Sequence, residues 1–218
     1  SAGHNITGFL HVLDAVRRHR VPRLVYASSA AVYGIPSSLP LSEDATPQPL
    51  SPYGLEKLIN DHYAELFRTL YNVSSVGMRY FNVYGPRQDP TSPYAGVISK
   101  FANGLQTATP LRIFGDGSQT RDFVYVGDVA QANVRALETP VQGVLNVGTG
   151  RTVSLLQLID TMSKAFDTAA EVRYEPSAPG DIPHSATTTT RLAQALAWQP
   201  ATSLLEGLGA LALSLRTG

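Results

Sequence analysis

Apolar residues Ile6, Phe9, Leu10, Leu13 and Val16 recur at helical spacing, which predicts an amphipathic helix over Asn5 to Arg20. Arg17, Arg18 and Arg20 fall in its last turn, where cations suit the helix dipole, and Pro22 stops it. Arg23 to Ser28 reads RLVYAS, a short apolar strand of the kind buried in parallel sheets. Residues 34–50 hold Pro36, Pro40, Pro47 and Pro49 and read as a loop. Ser51-Pro52 then marks a helix start, with serine at the N-cap and proline at the first helical position. Leu58, Ile59, Tyr63, Leu66 and Leu70 keep helical spacing to about Leu70, and a strand follows at about Ser75 to Tyr80. Helix, strand, loop, helix, strand is the rhythm of a doubly wound parallel sheet.

Past Gly85 the rhythm loosens. A helix is predicted over Val97 to Leu105, and a strand over Leu111 to Phe114 before the turn Gly115-Asp116-Gly117. Asp122 to Val126 is apolar, and Asp128 is placed to cap a helix reaching Leu137. Val144 to Val147 reads as a strand, Ser154 caps a helix to about Phe166, and Val172 to Tyr174 is a further strand. Thr190 to Ala197 and Leu204 to Leu215 complete the series as helices.

Composition narrows the classes of function. Hydrophobic residues make up 43% and charged residues 16% of 218, an ordinary globular balance. Lys+Arg and Asp+Glu are both 17, and no basic run occurs, which argues against a nucleic-acid surface. With no cysteine, disulfides and thiolate metal sites are excluded, and the five histidines do not fall at ligand spacing, so no metal is expected. No apolar run has bilayer length, and the opening residues resemble neither a signal nor a transit peptide. The expectation is a soluble, cytoplasmic protein without a membrane partner.

Tyr53 and Lys57 carry the candidate chemistry. Four residues apart in one helix, they share a face. A tyrosine with a pKa of about 10 is a poor base at neutral pH, and a neighbouring ammonium favours its phenolate. Such a phenol can take a proton from a hydroxyl and return it. Ser29, at the end of the preceding strand, lies where parallel sheets bind ligands. The spacing alone also describes a partly exposed tyrosine beside a solvated lysine.

The runs VYASSAAVYG, SPYGLEK, RYFNVYGPRQ, GDGSQTRDFVYVGDVA and NVGTG, in this order, resemble the extended short-chain dehydrogenase/reductase family. Within it the chain is similar to UDP-hexose 4-epimerases, especially those acting on N-acetylated sugars. The resemblance implies an α/β fold: the C-terminal part of a Rossmann-like sheet with a small α/β substrate-binding region. Residues 1–88 and 122–150 would form the dinucleotide-binding part, and 89–121 and 151–218 the sugar-nucleotide part. It implies NAD as cofactor, a UDP-sugar substrate, and a homodimer through the helices at about 6–20 and 52–70. Ser29, Tyr53 and Lys57 would be catalytic, and Asn5, Ala27, Ser28, Tyr53, Lys57 and Tyr80 would hold the cofactor. Ser29, Asn82, Gly96, Val97, Ile113, Phe114, Arg121, Asp181 and Ser185 would hold the substrate. Arg121 would bind phosphate, the alternative being an ion pair with Asp122 or Asp116.

Two positions discriminate within the family. Related dehydratases carry an Asp-Glu pair after the catalytic hydroxyl residue, because water elimination needs an added acid and base. Ala30 and Ala31 stand there instead, which favours epimerisation. Ser185 falls at the size gatekeeper, where a small residue leaves room for an N-acetyl group.

Departures raise other readings. The G-x-x-G-x-x-G turn that holds the pyrophosphate is not among these residues, so the chain is expected to be a C-terminal part without tight NAD binding. Ala178 replaces a second phosphate-binding arginine, Thr188 a capping aspartate, and Glu56 a serine. A non-catalytic sugar-nucleotide-binding remnant and a dehydratase or oxidoreductase of the same family remain the rival readings.

Overall fold

The structure is a computed structural model that describes residues 2–89, 96–177 and 182–217. Ala178 and Asp181 lie outside the described residues. Strands are β1 (Leu24–Ser29), β2 (Ser75–Tyr80), β3 (Asn82–Tyr84), β4 (Leu111–Phe114), β5 (Thr120–Arg121), β6 (Phe123–Tyr125), β7 (Gly143–Val147), β8 (Val153–Ser154) and β9 (Val172–Glu175). Helices are α1 (Gly8–Arg18), α2 (Pro52–Tyr71), α3 (Val97–Gln106), α4 (Val126–Glu138), α5 (Leu155–Phe166), α6 (Thr190–Leu196) and α7 (Leu204–Thr217). The chain divides into two compact units, one of Ser1–Phe81, Ala130–Val147 and Thr187–Gln199, the other of Asn82–Val129, Gly148–Ala186 and Pro200–Gly218. No helix among the described residues is long and apolar enough to cross a membrane.

In the first unit, β1, β2 and β7 form a parallel sheet in the order β1-β2-β7. Ser29 pairs with Tyr80, and Tyr80 with Val147, so the three carboxyl ends lie together. The first helix opens earlier than expected, as a π-helical turn over Gly3–Thr7, and continues as α1. A short 3-10 turn, Ala30–Tyr33, follows β1 directly.

Helix α2 starts where the sequence places it. Ser51 Oγ accepts from the Gly54 amide at 3.1 Å, a cap worth about 1 kcal/mol, and Pro52 sits at the first helical position. Asn72, in the left-handed region, closes the helix by donating its amide to the Arg68 carbonyl at 3.0 Å. Its inner face differs from the expected apolar stripe. Gly54, Glu56, Asn60, Asp61 and Ala64 are buried, whereas Leu66 and Leu70 are 51% and 65% exposed.

Most polar groups of this face are bonded, the buried Asn60 Oδ1 being an acceptor without a partner among the described residues. Asp61 accepts from Tyr26 Oη at 3.1 Å, Ser28 Oγ at 3.1 Å and Arg79 Nε at 3.0 Å. Arg79 Nη1 donates to Tyr33 Oη at 2.9 Å, and Tyr33 Oη donates to Asn146 Oδ1 at 2.7 Å. The Asn146 amide in turn donates to Glu43 Oε1 at 2.8 Å, which ties the proline-rich loop to β7. Tyr26 reaches Asp61 by lying across Gly77 of β2. A Cβ there would stand 2.5 Å from the Tyr26 hydroxyl oxygen, so only glycine leaves the ring its path.

The second unit has its own core. Ile98, Phe101, Leu111, Ile113, Phe123, Leu158, Met162 and Leu208 are buried together. β4 pairs in parallel with β9, β3 in parallel with β6, and β5 antiparallel with β8. Helix α5 carries a full capping box, in which Ser154 Oγ accepts from the Gln157 amide and Gln157 Oε1 accepts from the Ser154 amide. Two expected caps take other roles. Asp128 lies inside the first turn of α4 and accepts from the Thr202 amide at 3.1 Å. Thr188 donates its amide to Leu41 O, and Thr189 is the N-cap of α6 without a side-chain bond.

Candidate functional site

The end of β1 and the start of α2 are brought together by two small features. Ser29 is half-buried in extended conformation, and its Oγ accepts from the Ala31 amide at 3.1 Å, so it caps the 3-10 turn. The first turn of α2 then bears on that turn through Gly54. A Cβ at Gly54 would stand 2.5 Å from the Ala31 carbonyl oxygen, closer than real Cβ atoms come. The missing side chain brings the residue beside Tyr53 against the turn that Ser29 opens.

Tyr53 is 37% exposed. Lys57 Nζ lies 5.8 Å from the centroid of its ring and donates to the Ala27 carbonyl at 3.2 Å. Burial draws the Lys57 pKa below its ordinary value, while the carboxylates of Asp61 and Glu56 act in the opposite direction. A phenol and an ammonium on one helical face, beside a serine hydroxyl at the carboxyl end of a parallel sheet, form a set able to move a proton on and off a hydroxyl.

The other residues expected to hold the cofactor are distributed around this set. Ser28 points inward and donates to Asp61. Tyr80, at the carboxyl end of β2, donates its hydroxyl to Asn133 Oδ1 at 2.7 Å. Asn5 lies in the π-helical turn, and its Nδ2 donates to Glu56 Oε2 at 2.6 Å. Glu56 is buried and faces Asn5, as the divergence of adjacent helix positions requires.

The second unit holds a cavity of about 810 Å³ within the size range of small-molecule sites. Asn82, Val97, Phe114 and Arg121 line it, as do Lys100, Asn103, Arg112 and Gln119, which the sequence reading had not singled out. Val97, Lys100, Asn103 and Gly104 recur at helical spacing on α3, a signal that could have found them. Three lining residues are cationic and none is acidic, which suits a polyanion. Arg121 Nη1 donates to the Thr120 and Pro183 carbonyls at 2.9 and 3.3 Å. The Asp122 carboxylate accepts from the amides of Thr149 and Gly150, both at 2.8 Å. Asp116 accepts from Ser118. Arg112 pairs with Glu175 at 2.7 and 2.6 Å and lies 5.5 Å from the Phe114 ring centroid.

Of the expected substrate residues described in the second unit, three do not line this cavity. Gly96 is the N-cap of α3, the Ile113 side chain is fully buried in the core, and Ser185 donates its amide to Thr120 O at 3.1 Å.

Comparisons with known proteins agree in kind. The model of the NAD dependent epimerase/dehydratase family matches residues 2–148. A UDP-glucose 4-epimerase of Mycolicibacterium smegmatis is 38% identical over 94% of this chain and 66% of its own length. A UDP-N-acetylglucosamine 4-epimerase from Methanobrevibacter ruminantium, solved with UDP-N-acetylmuramic acid, superposes with a TM-score of 0.96 at 34% identity. That match covers 99% of this chain and 70% of the other. A Thermus thermophilus UDP-glucose 4-epimerase, solved with NAD, gives a TM-score of 0.88 at 36% identity, over 97% of this chain and 70% of the other. The chain thus spans 66% of the length of the curated relatives it matches first.

Proposed function

The chain belongs to the NAD dependent epimerase/dehydratase family, and on that premise we propose that it serves an NAD-dependent 4-epimerase of a UDP-hexose or UDP-N-acetylhexosamine. The observation that carries this reading is the close approach at Gly54, which packs the first turn of α2, where Tyr53 stands, on the turn opened by Ser29 and formed by Ala30 and Ala31. Neither alanine can act as acid or base, so the set moves one proton at one hydroxyl and lacks the extra groups that elimination of water requires.

The residues present fit the nicotinamide end of the cofactor. Lys57 spends one of its three donors on Ala27 O, and the ammonium lies beside an exposed phenol, a donor set suited to ribose hydroxyls. When bound, NAD supplies the acceptor for the C4 hydride and its return. Tyr53 takes the proton from the C4 hydroxyl and gives it back. Lys57 holds its ammonium over the Tyr53 ring. Ser29 donates to the same sugar oxygen. In the second unit, Lys100, Arg112 and Arg121 suit the diphosphate, with Asn82 beside them.

Support for an N-acetylated sugar comes from the small residue Ser185 and from the neighbour solved with UDP-N-acetylmuramic acid. Support for a homodimer comes from apolar residues left exposed on α1 and α2: Val12 at 45%, Leu55 at 50%, Leu66 at 51% and Leu70 at 65%.

The test is to incubate the protein and NAD separately with UDP-glucose and with UDP-N-acetylglucosamine and to resolve the products. The C4 epimer is expected, faster from the N-acetylated sugar. A 6-deoxy-4-keto product would replace this reading with a dehydratase. No turnover together with tight UDP-sugar binding would replace it with a binding remnant.

A further inference from the structure

We infer that Asp61 is a positioning residue for the Ser29, Tyr53 and Lys57 set, because its carboxylate fixes the end of β1 against the helical face that carries the tyrosine and lysine. The inference rests on the epimerase reading for what the set does, and on geometry alone for what Asp61 holds.

Tyr53, Lys57 and Asp61 stand on successive turns of α2 and therefore share one face. Two consecutive residues of β1 are tied to that face. Lys57 Nζ donates to the Ala27 carbonyl at 3.2 Å, and Ser28 Oγ donates to Asp61 Oδ2 at 3.1 Å. Ser29 comes next in the strand. Anchoring Ser28 therefore fixes where the backbone of Ser29 stands relative to α2. Asp61 is itself held by Arg79 from β2, and both are more than nine-tenths buried.

A buried ion pair is an expensive way to gain stability, since apolar residues of similar volume do as well. Here the carboxylate does what an apolar group cannot. It accepts from two neighbouring strands at once, with Tyr26 and Ser28 on β1 and Arg79 on β2. Its charge also bears on Lys57. Burial disfavours that ammonium, and Asp61 and Glu56 on its own helix favour it. From β1 it meets a carbonyl, Tyr53 presents its ring, and Asp61 is itself paired with Arg79.

Two variants test this. Ser28→Ala removes the tie to β1 and leaves the Asp61–Arg79 pair in place. Its kcat for UDP-sugar epimerisation is expected to fall about tenfold, the effect of one hydrogen bond to a charged group, with KM unchanged. Ser28→Thr, which keeps the hydroxyl, should recover most of it. A merely structural role would lower the melting temperature and leave kcat per folded molecule as it was. Asp61→Asn keeps an acceptor for Arg79 and removes the charge. Acylation of the Lys57 amine, followed by mass spectrometry across pH without cofactor, should then reach its midpoint at lower pH than in the wild type. An unchanged kcat in Ser28→Ala, or an unchanged Lys57 profile in a folded Asp61→Asn protein, overturns the inference. If Asp61→Asn does not fold, the Ser28→Ala kinetics decide. If the wild type does not epimerise, the catalytic reading falls, and the amine profile still decides what Asp61 does to Lys57.

Discussion

Replacing Gly54 by alanine tests whether the approach of α2 to the 3-10 turn organises the site. The added Cβ would lie 2.5 Å from Ala31 O, 3.1 Å from Ala31 C and 3.2 Å from Pro49 Cβ, where ordinary contact begins at 3.4 Å. Helix or turn must therefore retreat by roughly 0.9 Å at the oxygen. Two effects on stability oppose each other. Alanine gains up to about 1 kcal/mol over glycine in a helix, and overpacking costs about 1–3 kcal/mol. The net loss is about 0–2 kcal/mol, a fall in melting temperature of no more than about 8 °C in a chain of this size. Geometry is less forgiving, since a displacement near 1 Å between reacting groups can cost about a hundredfold in rate. The expected signature is a kcat lowered by up to about a hundredfold in a protein that melts within a few degrees of the wild type. Steady-state kinetics and calorimetry on the same preparation read both quantities. A kcat within twofold of the wild type together with a raised melting temperature would show that the approach at Gly54 does not organise the site.

Burial raises the phenol pKa values of Tyr26, Tyr33, Tyr80 and Tyr84 above the ordinary value of 10.0, with Asp61 adding to the effect at Tyr26. The stability that comes from holding them neutral is fully present below pH 10 and is lost as pH rises beyond it. Phenolate absorbance should therefore show these four ionising together with loss of ellipticity, and early ionisation in a folded protein would contradict their burial. Ser185→Tyr should lower kcat/KM for UDP-N-acetylglucosamine relative to UDP-glucose by about tenfold or more, and an unchanged ratio would remove Ser185 from the sugar site. A charge on the exposed face of α2, as in Leu66→Lys, should shift sedimentation from dimer to monomer, and a wild type that sediments as a monomer would refute the homodimer. Arg121→Met should weaken UDP binding at least tenfold in calorimetry, since a guanidinium facing a diphosphate contributes about 1.5–3 kcal/mol.

What the sequence reveals and what it hides divide along a physical line. Helix starts that depend on neighbouring residues were legible: Ser51-Pro52 for α2, and Ser154 with Gln157 for α5. The inner face of α2 was not. Periodicity assumes that buried means apolar, whereas this face buries Glu56, Asn60 and Asp61. The partners that make Asp61 tolerable, Ser28 and Arg79, stand 33 and 18 residues away, beyond any local window. β3 escaped notice because three residues are too few to show alternation, and its ladder is supplied by β6, with Asn82 paired to Phe123. Tyr53, Lys57 and Ser29 were expected from motif order; that Gly54, within the run SPYGLEK, packs against the Ala31 carbonyl needs the fold to be seen.

The turn after β1 also fixes the polarity of Ser29. Its oxygen already accepts from the Ala31 amide, which engages one of its two lone pairs and leaves the hydroxyl proton and one lone pair to offer outward. A partner that brings an acceptor can take that proton, and only such a partner satisfies the donor side of Ser29. A sugar oxygen at C4, as hydroxyl or ketone, satisfies that demand at every stage of the interconversion. A protonated 4-amino sugar could use only the remaining lone pair and would leave the hydroxyl proton unmet, and it should bind more weakly than its 4-hydroxy counterpart by about the cost of one unmet hydrogen bond, roughly tenfold. Discrimination between alcohols and amines would thus be written into a serine that the fold uses as a cap.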